Sequence, residues 1–170
     1  MSEKFRLRRT MMFANAQKPS LVKDAYIYKP DSLIIDLEDA VSENQKDSAR
    51  FSLYHILKTV NFRGVERLVR INALDTPHWQ EDIRVCVAGG ADGIRLAKCE
   101  SAQDVIQVEK AVEEVAEGAT SQAEETQTAT DNVVLMGNMV SETAREVEAM
   151  YSNAKNMHAL GQDAFETLHE

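Results

Sequence analysis

The sequence predicts an α/β fold on a parallel sheet. Two observations carry that expectation. Through residue 117, short apolar runs alternate with segments of helical spacing, joined by short links. The apolar runs are continuous, as in Leu33-Ile34-Ile35, which is the pattern of strands buried on both faces. A third observation sets a boundary, because this rhythm stops at Gly118.

The elements follow in order. Arg9 to Phe13 is a short run suited to a strand. Pro19 sits where a helix start tolerates it, ahead of Leu21, Val22 and Ala25. Ser32 to Asp36 is a compact second strand. Lys46 to Val60 has Ala49, Leu53, Ile56, Leu57 and Val60 at helical spacing. Arg67 to Asn72 is the third strand. Trp79 to Ala88 is a helix with Ile83, Cys86 and Val87 on one side, closed by Gly89-Gly90. Gly93 to Leu96 is the fourth strand, and Ala102 to Val115 a further helix. Two architectures accommodate such a series: a doubly wound open sheet, or part of an eight-fold barrel.

Gly118 to Asp131 has no apolar side chain beyond Ala and reads as a linker or long loop. Asn132 to Met136 then suggests a fifth strand, and Ser141 to Met157 a helix with Ser141 as its N-cap. The expected organisation is therefore 1–117, a linker at 118–131, and an acidic part at 132–170.

Charge supports this division. The chain of 170 residues has 19 Lys+Arg and 28 Asp+Glu, a net of −9. Residues 1–117 hold 17 and 19 of these, a net of −2; residues 118–170 hold 2 and 9, a net of −7. A net acidic chain without a basic block is a poor nucleic-acid binder, since phosphate contacts need clustered cations. The basic start (Lys4, Arg6, Arg8, Arg9) runs straight into the first strand, which argues against a transit peptide. No apolar run approaches the roughly 20 residues of a membrane span, and no secretory h-region precedes the first strand. Cys86 and Cys99 fit no zinc spacing, and reduced thiols in a cytoplasm are expected.

Function in a parallel sheet gathers at the C-terminal strand ends. The second strand ends at Asp36-Leu37-Glu38-Asp39, the third at Arg70-Ile71-Asn72, and the fourth at Leu96-Ala97-Lys98. The carboxylates suit either helix-start capping or chemistry. Arg70, in an otherwise apolar strand, needs an anionic partner. That partner is either the Asp36 to Asp39 cluster or a substrate carboxylate held bidentately. Cys99 reads as a small filler, and the four histidines lack metal-ligand spacing.

Four segments in these places carry a resemblance. They are Arg9-Thr10-Met11-Met12-Phe13; Asp36-Leu37-Glu38-Asp39-Ala40-Val41 followed by Lys46-Asp47-Ser48-Ala49-Arg50; Val69-Arg70-Ile71-Asn72-Ala73-Leu74-Asp75; and Gly89-Gly90-Ala91-Asp92-Gly93-Ile94-Arg95-Leu96. In this order, over about residues 8–115, they resemble the HpcH/HpaI-type aldolase family in its citrate lyase beta-subunit branch. The resemblance implies a (β/α)8 barrel of the TIM type, incomplete here with five to six βα units. It implies cleavage of a citryl thioester to oxaloacetate and an acetyl thioester, with a magnesium ion. It places substrate binding on Arg70 and sets Glu38 and Asp39 near the metal and its waters, so catalytic roles are expected of Arg70, Glu38 and Asp39; from their places at the strand ends, Asn72 and Lys98 are expected to bind substrate beside Arg70. It implies citryl thioester or oxaloacetate as ligand, alpha and acyl-carrier gamma subunits as partners, and an oligomer.

The departures from that family cluster. Phe13-Ala14-Asn15-Ala16 stands where the family has Phe-Val-Pro-Gly, and Leu96-Ala97-Lys98 where it has Leu-Pro-Lys. Asn138 falls where a magnesium-ligating Glu belongs, unless Glu142 takes the role by a shift; Asp163 falls on the second metal position. Strands seven and eight have no counterpart. Two expectations follow: a shortened citryl-thioester lyase with a weak metal site, or a scaffold or regulatory homologue that keeps the fold.

Overall fold

The computed structural model describes residues 7–167, with side chains through Gly161. Its first compact unit extends to Thr120, and a second begins at Ser121.

The first unit has four strands: β1 (Met11–Asn15), β2 (Ser32–Asp36), β3 (Glu66–Ile71) and β4 (Gly93–Leu96). All pair in parallel, in the order β1-β2-β3-β4. Consecutive strands are neighbours throughout, so the sheet has no point where its winding reverses. Helix α1 (Pro19–Lys23) and a 3-10 turn (Ala25–Tyr28) link β1 to β2. Helix α2 (Lys46–Thr59) links β2 to β3, and α3 (Trp79–Gly89) links β3 to β4. These bounds lie within two residues of the sequence expectation at every strand.

Alternation along each strand sorts its side chains between two faces. Leu33, Ile35, Val69 and Ile71 lie in one cluster with Val22, Leu53, Leu57, Ile83 and Cys86 of the helices. This is the core. The opposite face is built in rows set by register. Phe13, Ile34, Leu68 and Gly93 form one row; Asn15, Asp36, Arg70 and Arg95 form the next. That second face is partly open, with Phe13 50% exposed.

Two glycines set the α2–α3 contact and the entry to β4. Gly89 lies so close to α2 that an added Cβ would stand 2.6 Å from Leu57 Cδ1. Gly90 takes the left-handed conformation (φ 78°) and donates to the carbonyls of Cys86 and Val87, ending α3 as expected.

The N-terminal strand ends are fastened by ion pairs. Arg8 binds Glu66 through Nε (2.7 Å) and Nη2 (2.6 Å). Arg9 binds Asp31, whose carboxyl is held down at about 2, mainly by that arginine. Arg8 and Arg9 of the basic start therefore belong to the sheet, while Lys4 and Arg6 lie outside the described residues.

Helix α4 (Ala102–Thr167) corrects the sequence reading. Val108 is buried against the core, and Ala111, Val112 and Val115 pack beside it. Gly118 to Asp131 is helical, not a loop, and Asn132 to Met136 is helical, not a fifth strand. Ser141 is inside the helix and donates to the Gly137 carbonyl at 3.0 Å. Alanine, glutamate and glutamine are strong helix formers even without an apolar period. The threonines at 120, 126, 128 and 130 each donate to the carbonyl four residues back, so their hydroxyls are satisfied within the helix. Four strands are described where five or six units were expected. No described helix is long and apolar enough to cross a membrane.

Replacing Gly90 tests the cap. Gly90→Ala forces a Cβ into the left-handed region, at a cost of about 1–2 kcal/mol. Chemical denaturation should show that loss with an unchanged m-value.

Candidate active site

The site starts from a register coincidence. Asp36 ends β2 and pairs directly with Arg70 on β3, so both side chains emerge on the same face. Arg70 grips Asp36 bidentately, Nε to Oδ1 at 2.8 Å and Nη2 to Oδ2 at 2.6 Å. The Asp36 oxygens also accept the backbone N–H groups of Glu38 (3.0 Å) and Ala40 (3.1 Å). One carboxylate thus shapes the loop after β2 and fixes the guanidinium. Burial pushes the Asp36 carboxyl up, but the hydrogen bonds from Arg70 and the two amides outweigh it, and its pKa is lowered. Those bonds raise Arg70 in turn.

The third guanidinium nitrogen points elsewhere. Nη1 lies 2.9 Å from Glu38 Oε2 and 3.5 Å from Asp39 Oδ2. The Glu38 side chain is 10% exposed and the Asp39 side chain 76%. The Phe13 ring lies beneath, 5.1 Å from the Arg70 guanidinium and 5.5 Å from that of Arg95. Three carboxylates therefore face one arginine, with Asp39 the loosest and most open.

Beneath the loop is a buried polar network. Lys46 Nζ donates to the carbonyls of Leu37 and Glu38, both at 2.8 Å, and to Asn72 Oδ1 at 2.7 Å. Asn72 Nδ2 donates to Asp82 Oδ2 at 2.7 Å and to the Leu37 carbonyl at 3.1 Å. Asp82 also accepts from the Asn72 backbone (2.9 Å) and from Arg50 Nε (2.8 Å). Asp82 is fully buried, and Lys46 is 7% exposed. Desolvation lowers the Lys46 pKa against the pull of Asp82 and the other carboxylates nearby. Asn15 closes the far side, donating to the Ala40 carbonyl at 2.7 Å.

The structure brings Arg70, Glu38 and Asp39 together. Asn72 is buried and its amide is taken up by Lys46, Leu37 and Asp82, so it supports the loop from within. Lys98 is exposed just past β4 in the left-handed region (φ 50°). Glu142 is exposed on α4, while the Asp163 side chain lies outside the described residues. Both positions belong to one helix, 21 residues apart, which separates them by about 30 Å along its axis. The two cannot share one ion within this chain, because magnesium–oxygen distances are about 2 Å. Among the described residues, no group of three or more His, Cys, Asp or Glu could hold a metal.

Sequence reasoning missed Asp82, Lys46 and Arg50 as a unit. Lys46 and Arg50 stand in the sequence only as part of a segment that carries the resemblance, and nothing in the sequence singles out Asp82. A buried position cannot be read from one polar letter.

Removing Asp82 tests the network. Asp82→Ala leaves Arg50 and two Asn72 donors buried without their acceptor, and should destabilise the fold by about 3–5 kcal/mol in chemical denaturation. Acid tests the lowered Asp36 carboxyl. Its contribution is complete above the unfolded value near 3.9 and is lost as pH falls through the folded value. Thermal melts should therefore show stability falling below about pH 4, with a shallower fall for Asp36→Asn.

A profile of the HpcH/HpaI aldolase/citrate lyase family matches residues 9–136. Citrate lyase subunit beta of Leuconostoc mesenteroides subsp. cremoris is 50% identical over 107 residues, covering 63% of this chain and 35% of that protein. The Escherichia coli K12 protein of the same name is 42% identical over 109 residues, covering 64% and 36%. The chain thus spans about a third of the length of the curated relatives it matches. A solved citrate lyase beta subunit from Mycobacterium tuberculosis, complexed with oxaloacetate and magnesium, superposes with a TM-score of 0.52 at 32% identity, covering 61% of this chain and 46% of that one. The parallel sheet, its strand-end carboxylates and Arg70 all fall inside the matched segment, and the chain belongs to the HpcH/HpaI aldolase/citrate lyase family.

Proposed function

We propose that this chain carries the substrate-gripping part of a citryl-thioester lyase of the citrate lyase beta-subunit type, on the first four units of a (β/α)8 barrel. One observation carries the reading: the third nitrogen of Arg70 is presented at the C-terminal strand ends beside an exposed, loosely held Asp39. Asp36 locks Nε and Nη2, so the guanidinium is oriented before any ligand arrives. A substrate carboxylate takes the place of Asp39 at Nη1, with Phe13 below. A solved relative complexed with oxaloacetate supports an oxo-acid as the class of ligand.

The reaction is a retro-aldol cleavage. The carbinol hydroxyl gives up its proton and becomes the keto oxygen of oxaloacetate. The carbon–carbon bond breaks toward the thioester, and its electron pair forms an enolate that takes up a proton to give the acetyl thioester. Arg70 holds the oxo-acid end and opposes its negative charge. Magnesium accompanies the Mycobacterium tuberculosis relative. The described residues of this chain do not fit a magnesium shell, since Asp36 and Glu38 are engaged by Arg70 and Glu142 stands apart from Asp163 on α4.

That misfit favours a second reading, a catalytically weak scaffold or regulatory subunit. The replacement of the expected fifth strand by helix points the same way.

Calorimetric titration with oxaloacetate, paired with a citryl-thioester cleavage assay in magnesium, separates the outcomes. Arg70→Ala should weaken oxaloacetate binding at least tenfold, while Asp39→Ala should tighten it by removing the carboxylate that competes for the open side of Nη1, Glu38 keeping its own contact with that nitrogen. Fluorescence of Trp79, 8% exposed, verifies that each variant is folded. Equal binding by the folded wild type and Arg70→Ala removes the role from Arg70. Turnover near a typical rate of about 10 per second overturns the scaffold reading, and turnover orders of magnitude lower supports it.

A further inference from the structure

Every side chain from Ser121 to Gly161 on α4 is exposed. A helix holds little stability from propensity alone, and most of it comes from packing an apolar face. This helix has such a face, with a period of its own. Val133, Val140 and Val147 recur every seven residues; Met136, Met150 and Met157 take the position three residues further on. Ala129, Thr143 and Ala154 occupy the remaining places of the same two rows. The six larger side chains are between 59% and 72% exposed. A strict seven-residue repeat, sustained over four turns of the pattern, marks the seam of a left-handed coiled coil.

We propose that this face pairs with the same face of a second copy of the chain, as a parallel two-stranded coiled coil centred on Val140 and Val147. The composition of the rows selects the occupant. β-Branched residues at the first row with unbranched residues at the second favour two strands in parallel. Alanine and threonine layers let the backbones approach.

Charge selects it as well. Residues 118–170 carry a net of −7, so two copies should repel unless their charges point away from the seam. They do: Glu142, Arg145, Glu148 and Lys155 all fall on outer positions of the repeat. The positions bordering the seam from 137 to 158 are Gly137, Met139, Ala144, Glu146, Tyr151, Asn153 and His158. Only Glu146 among them is an acid, and in a parallel pair its neighbour across the seam is Tyr151 of the other copy. A self-pair thus forms without like-charge contact, whereas a partner helix that recognises charge finds a single acid, Glu146, beside the seam.

Sedimentation of the full chain over a range of concentrations tests this. The wild type should sediment at twice its 19.0 kDa mass. Val140→Asp with Val147→Asp should sediment at once that mass, with a dissociation constant at least a hundredfold weaker. Ser152→Asp with Ala159→Asp adds the same charge to the outer face and should remain dimeric. Trp79 fluorescence distinguishes dissociation from loss of the first unit. Direction is read by Val133→Cys in a Cys99→Ser background, where mild oxidation should cross-link the dimer. A monomeric wild type, a dimer that survives the seam substitutions, or a trimer overturns the proposal. A dimer in which Val133→Cys fails to cross-link overturns the parallel arrangement.

Discussion

The bidentate pair between Asp36 and Arg70 is the interaction on which the active face depends. A buried carboxylate without a partner is costly, and Asp36 is 2% exposed at the end of a strand buried on both faces. Parallel pairing puts Arg70 opposite it. The same carboxylate accepts two amides of the loop beyond, so strand register, loop shape and guanidinium orientation are one event. Losing Arg70 leaves the Asp36 charge buried without its cation.

The second layer of support is a buried chain of two cations, one carboxylate and one amide. Lys46, Asn72, Asp82 and Arg50 alternate donor and acceptor from α2 to β3 to α3. Lys46 holds the carbonyls that bracket Glu38, so the helix start after the loop also sets where Glu38 stands. No described buried side-chain nitrogen or oxygen lacks a partner, which is what makes so polar an interior tolerable. This rigidity suits the anion binding proposed for the site, because a guanidinium already fixed on two nitrogens loses little freedom on binding through the third.

Helix α4 obeys a different economy of contacts. Its early residues Val108, Val112 and Val115 are held by the sheet's core, while its later apolar residues as far as Leu160 are exposed among the described residues. The seven-residue repeat was present in the letters all along. It was obscured because Ala, Thr, Gln and Glu between residues 118 and 131 suggest solvated loop when judged by apolar content alone, and because Val133 to Met136 looks like a strand when cut out of its helix.

The sequence by itself determined the four strands, their helices and the strand-end residues. Continuous apolar runs, helical spacing and the paired glycines at 89 and 90 are local signals with local physical causes, and the observed elements follow them closely. The Asp36-Leu37-Glu38-Asp39 and Arg70 motifs were legible for the same reason. Tertiary structure decided what those residues do to one another. Register chose Asp36 over Glu38 and Asp39 as the bidentate partner of Arg70, and packing buried Asn72 beside Asp82, where its amide serves the loop. Both outcomes depend on distances between residues far apart in the chain, 34 positions for Asp36 and Arg70, and such distances exist only once the strands have paired.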